Sequence, residues 1–512
     1  MNRILKHSLL AVVIPAALIL PASAATFTVY HPIWYNDTVD GSFAWAIKQS
    51  NDTPGLDVID VKLSSGNTIN INFAGFDTEI LATITDSVKI HGNNVTLVGT
   101  PSAVTVGGRI LDKFNVQPLI ERDIVTTRAH TFADVAPSIS VEINDLNADG
   151  VDGFLKLGEN SIATVVNSVI KNTIPYLSPG TLGRPAIEAL PGSTLNLSNV
   201  LLDRINPLRT LVEGAEYAWI GAIAGKQSTL NMINSVIQGD SSSVGGVNWL
   251  EGSANIVSSI ITAKAGGLSI SGPGAVLNFV NSLFSASDGP SPLARIQAFG
   301  GGVANLIAST VQVNALGLTG LGSCPDADVY ACNGSPLQAF AGGEINLFQS
   351  AVSTINSNAA SIYKSYSDDF SPFGPGSLMA DALSYVQPTP FADETNLRSL
   401  FNQPSLLTGS IPYELTPDGL FYADLPDGAA LLPGSPLRSA IADADGANQL
   451  LSPIDGSVIT TDVFGNPRTA FGTRDIGAVQ STQVPGPLPI LGLAAAFRWS
   501  RRLRRAVRSA RG

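Results

Sequence analysis

The stretch "STLNMINSVI", residues 228 to 237, decides how this chain is read, because it recurs along the sequence. Related segments are "SIATVVNSVI" (161 to 170), "STLNLSNVLL" (193 to 202), "SANIVSSII" (253 to 261), "AVLNFVNSLF" (275 to 284), "GVANLIASTV" (302 to 311) and "EINLFQSAV" (344 to 352). The Asn positions 196, 231, 255, 278, 305 and 346 are spaced by 35, 24, 23, 27 and 41 residues. Ser235, Ser259, Ser282, Ser309 and Ser350 each follow at an offset of four. Apolar residues flank each Asn, Leu230 and Met232 in the quoted copy and Leu277 and Phe279 two copies later. Alternation with period two marks a strand with one face buried.

So short a strand cannot stand alone. A period in the twenties fits three strands per turn of a parallel β-helix, each coil stacking on the last. The expected fold class is all-β, a right-handed parallel β-helix solenoid with a short N-terminal capping helix and a C-terminal closing module. A β-sandwich of antiparallel hairpins would need Asn-Gly or Asp-Gly turns between its strands; a few occur, and they do not account for the offset of four. In the solenoid the apolar positions become stacked rows inside the tube, and the Asn and Ser positions can form hydrogen-bonding ladders at turns or on a face. The intervals of 35 and 41 residues are a coil plus an outward loop, or two coils with one too divergent to see.

At the N-terminal side, "GSFAWAIKQSNDTPGLDVIDV" (41 to 61) places Phe43, Ala46 and Ile47 at helical spacing before an alternating strand. A short amphipathic helix there can plug the open end of the tube. From about residue 386 the register fades into "LPGSPLRSAIADADG" and "DVFGNPRTAFGTRDIGAV". The expected division is residues 1 to 24 as a signal peptide, 25 to 385 as the β-helix with its cap, 386 to 480 as C-terminal rungs and closing module, and 481 to 512 as a tail.

The termini carry separate signals. Arg3 and Lys6 precede an apolar run from Leu9 to Leu20 and then Pro21-Ala22-Ser23-Ala24, which reads as an export signal cleaved by signal peptidase after Ala24. The tail "VPGPLPILGLAAAFRWSRRLRRAVRSARG" holds seven arginines behind ten apolar or small residues, Leu488 to Phe497. Such a run spans about 15 Å as helix, half of a hydrocarbon core. Removing both ends takes the formal charge from −12 to −21, an acidic body unsuited to nucleic acid. Charged residues are only 14% of the chain, so amides and hydroxyls must supply much of the polar surface. Cys324 and Cys332, in "CPDADVYAC", are expected to close a local disulfide in an exported chain. An elongated monomer is expected.

Three segments carry a family resemblance. Gly41 to Val61 resembles the opening of bacterial exported β-helix proteins of the pectate-lyase-like kind. Gly434-Ser435-Pro436 followed by residues 462 to 479 is similar to the end of the domain called choice-of-anchor Q, with Leu437-Arg438-Ser439 departing from its usual Ala-Ile-Asp. The tail resembles a PEP-CTERM sorting signal in a variant reading Val484-Pro485-Gly486-Pro487. That resemblance implies processing by an exosortase in the envelope of a Gram-negative-type bacterium, and a link to biofilm and extracellular polysaccharide. It implies a location at the cell surface or in the extracellular matrix and names no substrate.

Candidate chemistry is sparse. "DLNADGVDG" (145 to 153) sets Asp145, Asn147, Asp149 and Gly150 at the first, third, fifth and sixth positions of a calcium loop, with Asp152 nearby. Lys156 stands where the bidentate Glu would be, so the alternatives are a loose Ca²⁺ loop and a solvated turn. Asp240 and Glu251 share one inter-copy region with Trp249, offering a carboxylate pair beside a sugar platform, or surface acids beside a packed ring. Trp34, Trp45 and Trp219 are further stacking candidates. His31, His91 and His130 are scattered, His7 goes with the signal, and neither zinc nor serine-elbow chemistry has a motif. The expectation is a noncatalytic surface or matrix protein, structural or adhesive or glycan-binding, without an obligatory cofactor. The alternative is a polysaccharide lyase or glycoside hydrolase on the same scaffold.

Overall fold

The computed structural model describes residues 24–99 (except 35–36 and 72–79), 105–106, 109–110, 131–314 (except 152, 172–184, 204–221, 239–245, 264–266 and 287–295), 337–355, 363–366, 377–380, 384–386, 413–415, 421–423, 441–442, 449–468, 473–475 and 477–480. The signal segment before Ala24, the tail from 481 and both cysteines lie outside the described residues.

The chain winds into a right-handed parallel β-helix with three sheets. One coil runs from Ile187–Ala189 on sheet 3, through Thr194–Ser198 on sheet 1, to Leu201–Asp203 on sheet 2. Each strand pairs in parallel with its counterpart one coil on: Leu195 with Leu230, Leu202 with Ile237, Ile187 with Ile223. Sheet 1 extends from Thr26–Val29 to Ser377–Ala380 and sheet 2 from Thr68–Asn70 to Tyr385–Val386. Sheet 3 extends from Ile80–Ile84 to Tyr363–Tyr366.

The copies recognised in the sequence are the sheet 1 strands and the turn into sheet 2. Leu195, Leu230, Ala254, Leu277, Ala304 and Ile345 form one inward row, and Leu197, Met232, Ile256, Phe279, Leu306 and Leu347 the next, all at most 2% exposed. Each fully buried large side chain contributes about 1.5–3 kcal/mol. The unequal intervals are explained at one corner: the breaks at 172–184, 204–221, 239–245, 264–266, 287–295 and 315–336 all fall between a sheet 2 strand and the next sheet 3 strand.

Between sheets 1 and 2 the chain turns through a left-handed residue, among them Asn199 (φ 54°), Asn234 (φ 46°) and Asn281 (φ 51°). Asn tolerates this region better than most side chains. The following serines are buried, and their ladder is continuous. The backbone N–H of Ser235 donates to Ser259 Oγ (3.1 Å), Ser259 to Ser282 (3.1 Å), Ser282 to Ser309 (3.2 Å) and Ser309 to Ser350 (3.1 Å). Each hydroxyl donates to a carbonyl two residues back, as Ser259 does to Val257 at 2.8 Å. A buried N–H at the turn thus finds its acceptor in the next coil, which is why this position is Ser.

The helix Phe43–Asp52 occupies the first coil, N-capped by Ser42, whose Oγ accepts from the Trp45 N–H at 3.1 Å. Phe43 stacks on Trp34 (5.2 Å between ring centres) and meets Phe132 edge-on (5.6 Å), closing the core at this end. Residues 449–468 and 477–480 lie along the flank at the sheet 1 to sheet 2 corner, where Leu450 joins Val257, Val280 and Ala308 in a satellite core and Ile454 and Ile459 pack against it. The reason is that this corner carries outward apolar side chains that need cover.

Candidate functional site on the outward face of sheet 1

The outward row of sheet 1 is an amide ladder. Asn231 Nδ2 donates to Asn196 Oδ1 (2.9 Å), Asn255 to Asn231 (2.9 Å), Asn278 to Asn255 (2.8 Å), Asn305 to Asn278 (3.0 Å) and Asn346 to Asn305 (3.0 Å). Asn196 continues it to Thr164 Oγ1 at 3.2 Å. Strand spacing of about 4.8 Å suits this stacking, and each amide keeps a second N–H and a second lone pair for a ligand or water. Thr194, Thr229 and Ser253 run alongside as a hydroxyl row, with Ser253 Oγ donating to Thr229 Oγ1 at 3.4 Å.

Toward the N-terminus the same face becomes charged. Burial acts to raise the Asp60 carboxyl, and the Lys62 ammonium and the Asn93 amide (2.8 Å) outweigh it, holding Asp60 below its ordinary value. Glu142 is also held low, first by the Asn144 amide (2.8 Å) and then by Lys89 (2.7 Å). His91 lies in register between Asp60 and Asn144. On the opposite border, the flank residues around Arg468 are pinned by its guanidinium, 1% exposed, whose Nε donates to Asn281 Oδ1 (2.8 Å) and whose Nη2 donates to Gly477 O (3.0 Å). Asp462 accepts from the backbone N–H groups of Phe464 (2.8 Å), Asn466 (2.7 Å) and Gln480 (2.8 Å), while burial pushes its carboxyl up.

Several expected site residues fall elsewhere. Trp249 is wholly buried, and its indole N–H donates to Ser228 O at 2.9 Å, so it is a core ring and not a sugar platform. Trp34 is likewise in the cap core, and Trp45 packs edge-on against Phe27 at 6.1 Å. Glu251 accepts from Gln227 Nε2 at the sheet 3 to sheet 1 corner. Asp240, Asp152, Trp219 and His130 lie outside the described residues. Asp145 (φ 55°) is the left-handed residue at the sheet 1 to sheet 2 corner within Ser140–Asp149, and Asn147 and Asp149 follow on the sheet 2 part of that strand. Asn147 Oδ1 accepts from the Val169 N–H (2.8 Å), and Asp149 pairs with Lys171 (3.1 Å). Among the described residues no group of three or more His, Cys, Asp or Glu is placed to hold a metal ion. Sequence reading passed over Arg468 although it stands in the quoted "GNPRTAFG", because its partner Asn281 is 187 residues away.

Fold and face together define a repetitive parallel β-solenoid with one flank of stacked amides, a scaffold that serves structural, adhesive and catalytic proteins alike. No protein-family model matches the chain, and neither does a curated protein or a solved structure.

Proposed function

We propose that this chain is an exported, noncatalytic β-helix of the cell surface or extracellular matrix, structural or adhesive, with sheet 1 as a glycan-contacting face. The observation that carries the reading is the amide ladder from Asn196 to Asn346, whose half-buried members from Asn196 to Asn305 present the same donor and acceptor at each coil. A repeating polar polymer is the ligand class that such a display fits. Of the acids described on this face, Asp60 is engaged with Lys62 and Glu142 with Lys89, and Glu344, exposed at the start of its strand, stands as a single carboxyl. That arrangement favours binding over acid catalysis, which needs a carboxyl placed against its substrate.

The N-terminal apolar run and the Val484-Pro485-Gly486-Pro487 tail support export by signal peptidase and tail processing by an exosortase-like protease. The resemblance of residues 434 to 479 to a choice-of-anchor Q ending supports a surface location. The buried Arg468 and Asp462 give that motif a clasping role. The test is to incubate processed protein with the producing cell's extracellular polysaccharide, following both bound protein and new chain ends. Saturable binding without new ends is expected; ends rising in proportion to protein, with or without Ca²⁺, would replace this reading with a polysaccharide lyase or glycoside hydrolase.

A further inference from the structure

We infer that Ala25 is the amino terminus of the working protein and that its α-ammonium is bound by the buried carboxylate of Asp57. This rests on the export reading above and adds a binding site for the new terminus.

Asp57 occupies an inward row of sheet 1. The same row continues as Val88, Val141, Ala163, Leu195, Leu230, Ala254, Leu277, Ala304 and Ile345, apolar at each step. Asp57 is 0% exposed, so it is a carboxylate where every following coil has a hydrocarbon. A buried carboxylate demands a counter-charge or a full set of donors. Asp57 has one donor in hand: the Ala25 N–H reaches Oδ1 at 2.8 Å, and Oδ2 is buried without a hydrogen-bond partner among the described residues. The nearest lysines by register, Lys62 and Lys89, are on the outward face with Asp60 and Glu142.

Ala25 sits in this place by register, since Thr26 pairs with Val58. The Val58 N–H donates to Ala25 O at 2.8 Å, fixing the residue on the strand edge while Ala24 is exposed. Ala24 is also the last residue of the Ala-x-Ala cleavage site. Hydrolysis there breaks the Ala24–Ala25 amide: water's hydroxyl goes to the Ala24 carbonyl, and the Ala25 nitrogen leaves as an amine that takes up a proton. One neutral donor becomes three donors and a positive charge, already within hydrogen-bond distance of Asp57. Cleavage therefore completes the first coil as well as releasing the leader.

The experiment exports the full chain, sequences its amino terminus, and acetylates the folded protein with a limiting acylating reagent near pH 7, reading Ala25 modification by mass spectrometry. The chain is expected to start at Ala25. Its α-amine should react at least about tenfold more slowly than in the same protein unfolded in urea, the effect of a one-unit rise in amine pKa. Asp57→Asn should restore the fast rate; should that variant fail to fold, the native-to-unfolded ratio of the wild type decides alone. A start at Ala25 with an amine equally reactive folded and unfolded overturns this inference and leaves export standing. A surface protein that retains residues 1 to 24 overturns both.

Discussion

The indole of Trp249 fills the space that a side chain at Gly225, one coil earlier on sheet 3, would need. A Cβ at Gly225 would lie 2.4 Å from Cη2 and 2.5 Å from Cζ3 of the ring. The glycine is thus required by a neighbour 24 residues on, in a core that tolerates little added volume. Gly225→Ala is expected to cost about 1–3 kcal/mol through overpacking. Pairing it with Trp249→Leu should recover part of that loss in urea melts. A Gly225→Ala protein as stable as the parent would place the ring elsewhere.

What the sequence disclosed, and what it hid, follows from the same geometry. The Asn and Ser offset of four was legible because both positions meet one fixed environment per coil: Asn on the sheet 1 ladder, Ser at the turn where a buried N–H needs an oxygen. Sheet 2 was legible only at its start, as Val236 and Ile237 in the quoted copy, and sheet 3 was not legible, since short strands such as Leu268–Ser271 follow segments of varying length. The calcium-like spacing was open to two readings because Asp145 (φ 55°) turns the corner between sheets 1 and 2, while Asn147 and Asp149 are alternate residues of the strand portion that follows. Trp249 was open to both readings, platform and packed ring, because its acidic neighbours were visible in sequence while Gly225 became its partner only through register.

Interrupting the amide ladder tests its structural weight. Asn278 donates to Asn255 and accepts from Asn305. Asn278→Ala removes both hydrogen bonds, and at about 0.5–1.5 kcal/mol each the expected loss is about 1–3 kcal/mol. In a pull-down with extracellular polysaccharide, the folded variant should also bind more weakly if sheet 1 is the contact face.

The ladder stops at Asn346, whose Oδ1 is buried without a hydrogen-bond partner among the described residues. Its register neighbour one coil on is Met379, 59% exposed. Met379→Asn places an amide N–H at that oxygen and takes an apolar side chain out of water. A gain of about 0.5–1.5 kcal/mol is expected, measured as a higher urea midpoint. Destabilisation would mean that the last coil departs from the register of the others.

Arg468 holds the flank segment to the coils through Asn281 and Ala308 and ties the segment to itself through Gly477. Arg468→Ala leaves those acceptors buried and unpaired, at about 1–3 kcal/mol for each one that water cannot reach. Because the solenoid strands keep their own pairing, the expected effect is local. Limited proteolysis should cut within 449–480 well before it cuts the coils, whereas parent protein resists at both. Simultaneous loss of the coils would show that the strap and the tube unfold as one unit.

The charged end of sheet 1 makes a prediction about acid. Glu142 has its folded pKa lowered by Asn144 and Lys89, so its interactions contribute stability that is fully present above the ordinary carboxylate value, about 4.3. That contribution is lost as the pH falls through the lowered folded value, because the folded state then takes up the proton that the unfolded chain already carries. Glu142→Gln has no such titration. Asp60, also lowered, and Asp462, raised by burial, titrate alike in both proteins and cancel from the comparison. The parent should therefore exceed Glu142→Gln in urea midpoint at pH 7, with the gap closing as the pH drops below about 4. A gap as wide at pH 3 as at pH 7 would mean that Glu142 acts through its shape and not through its charge.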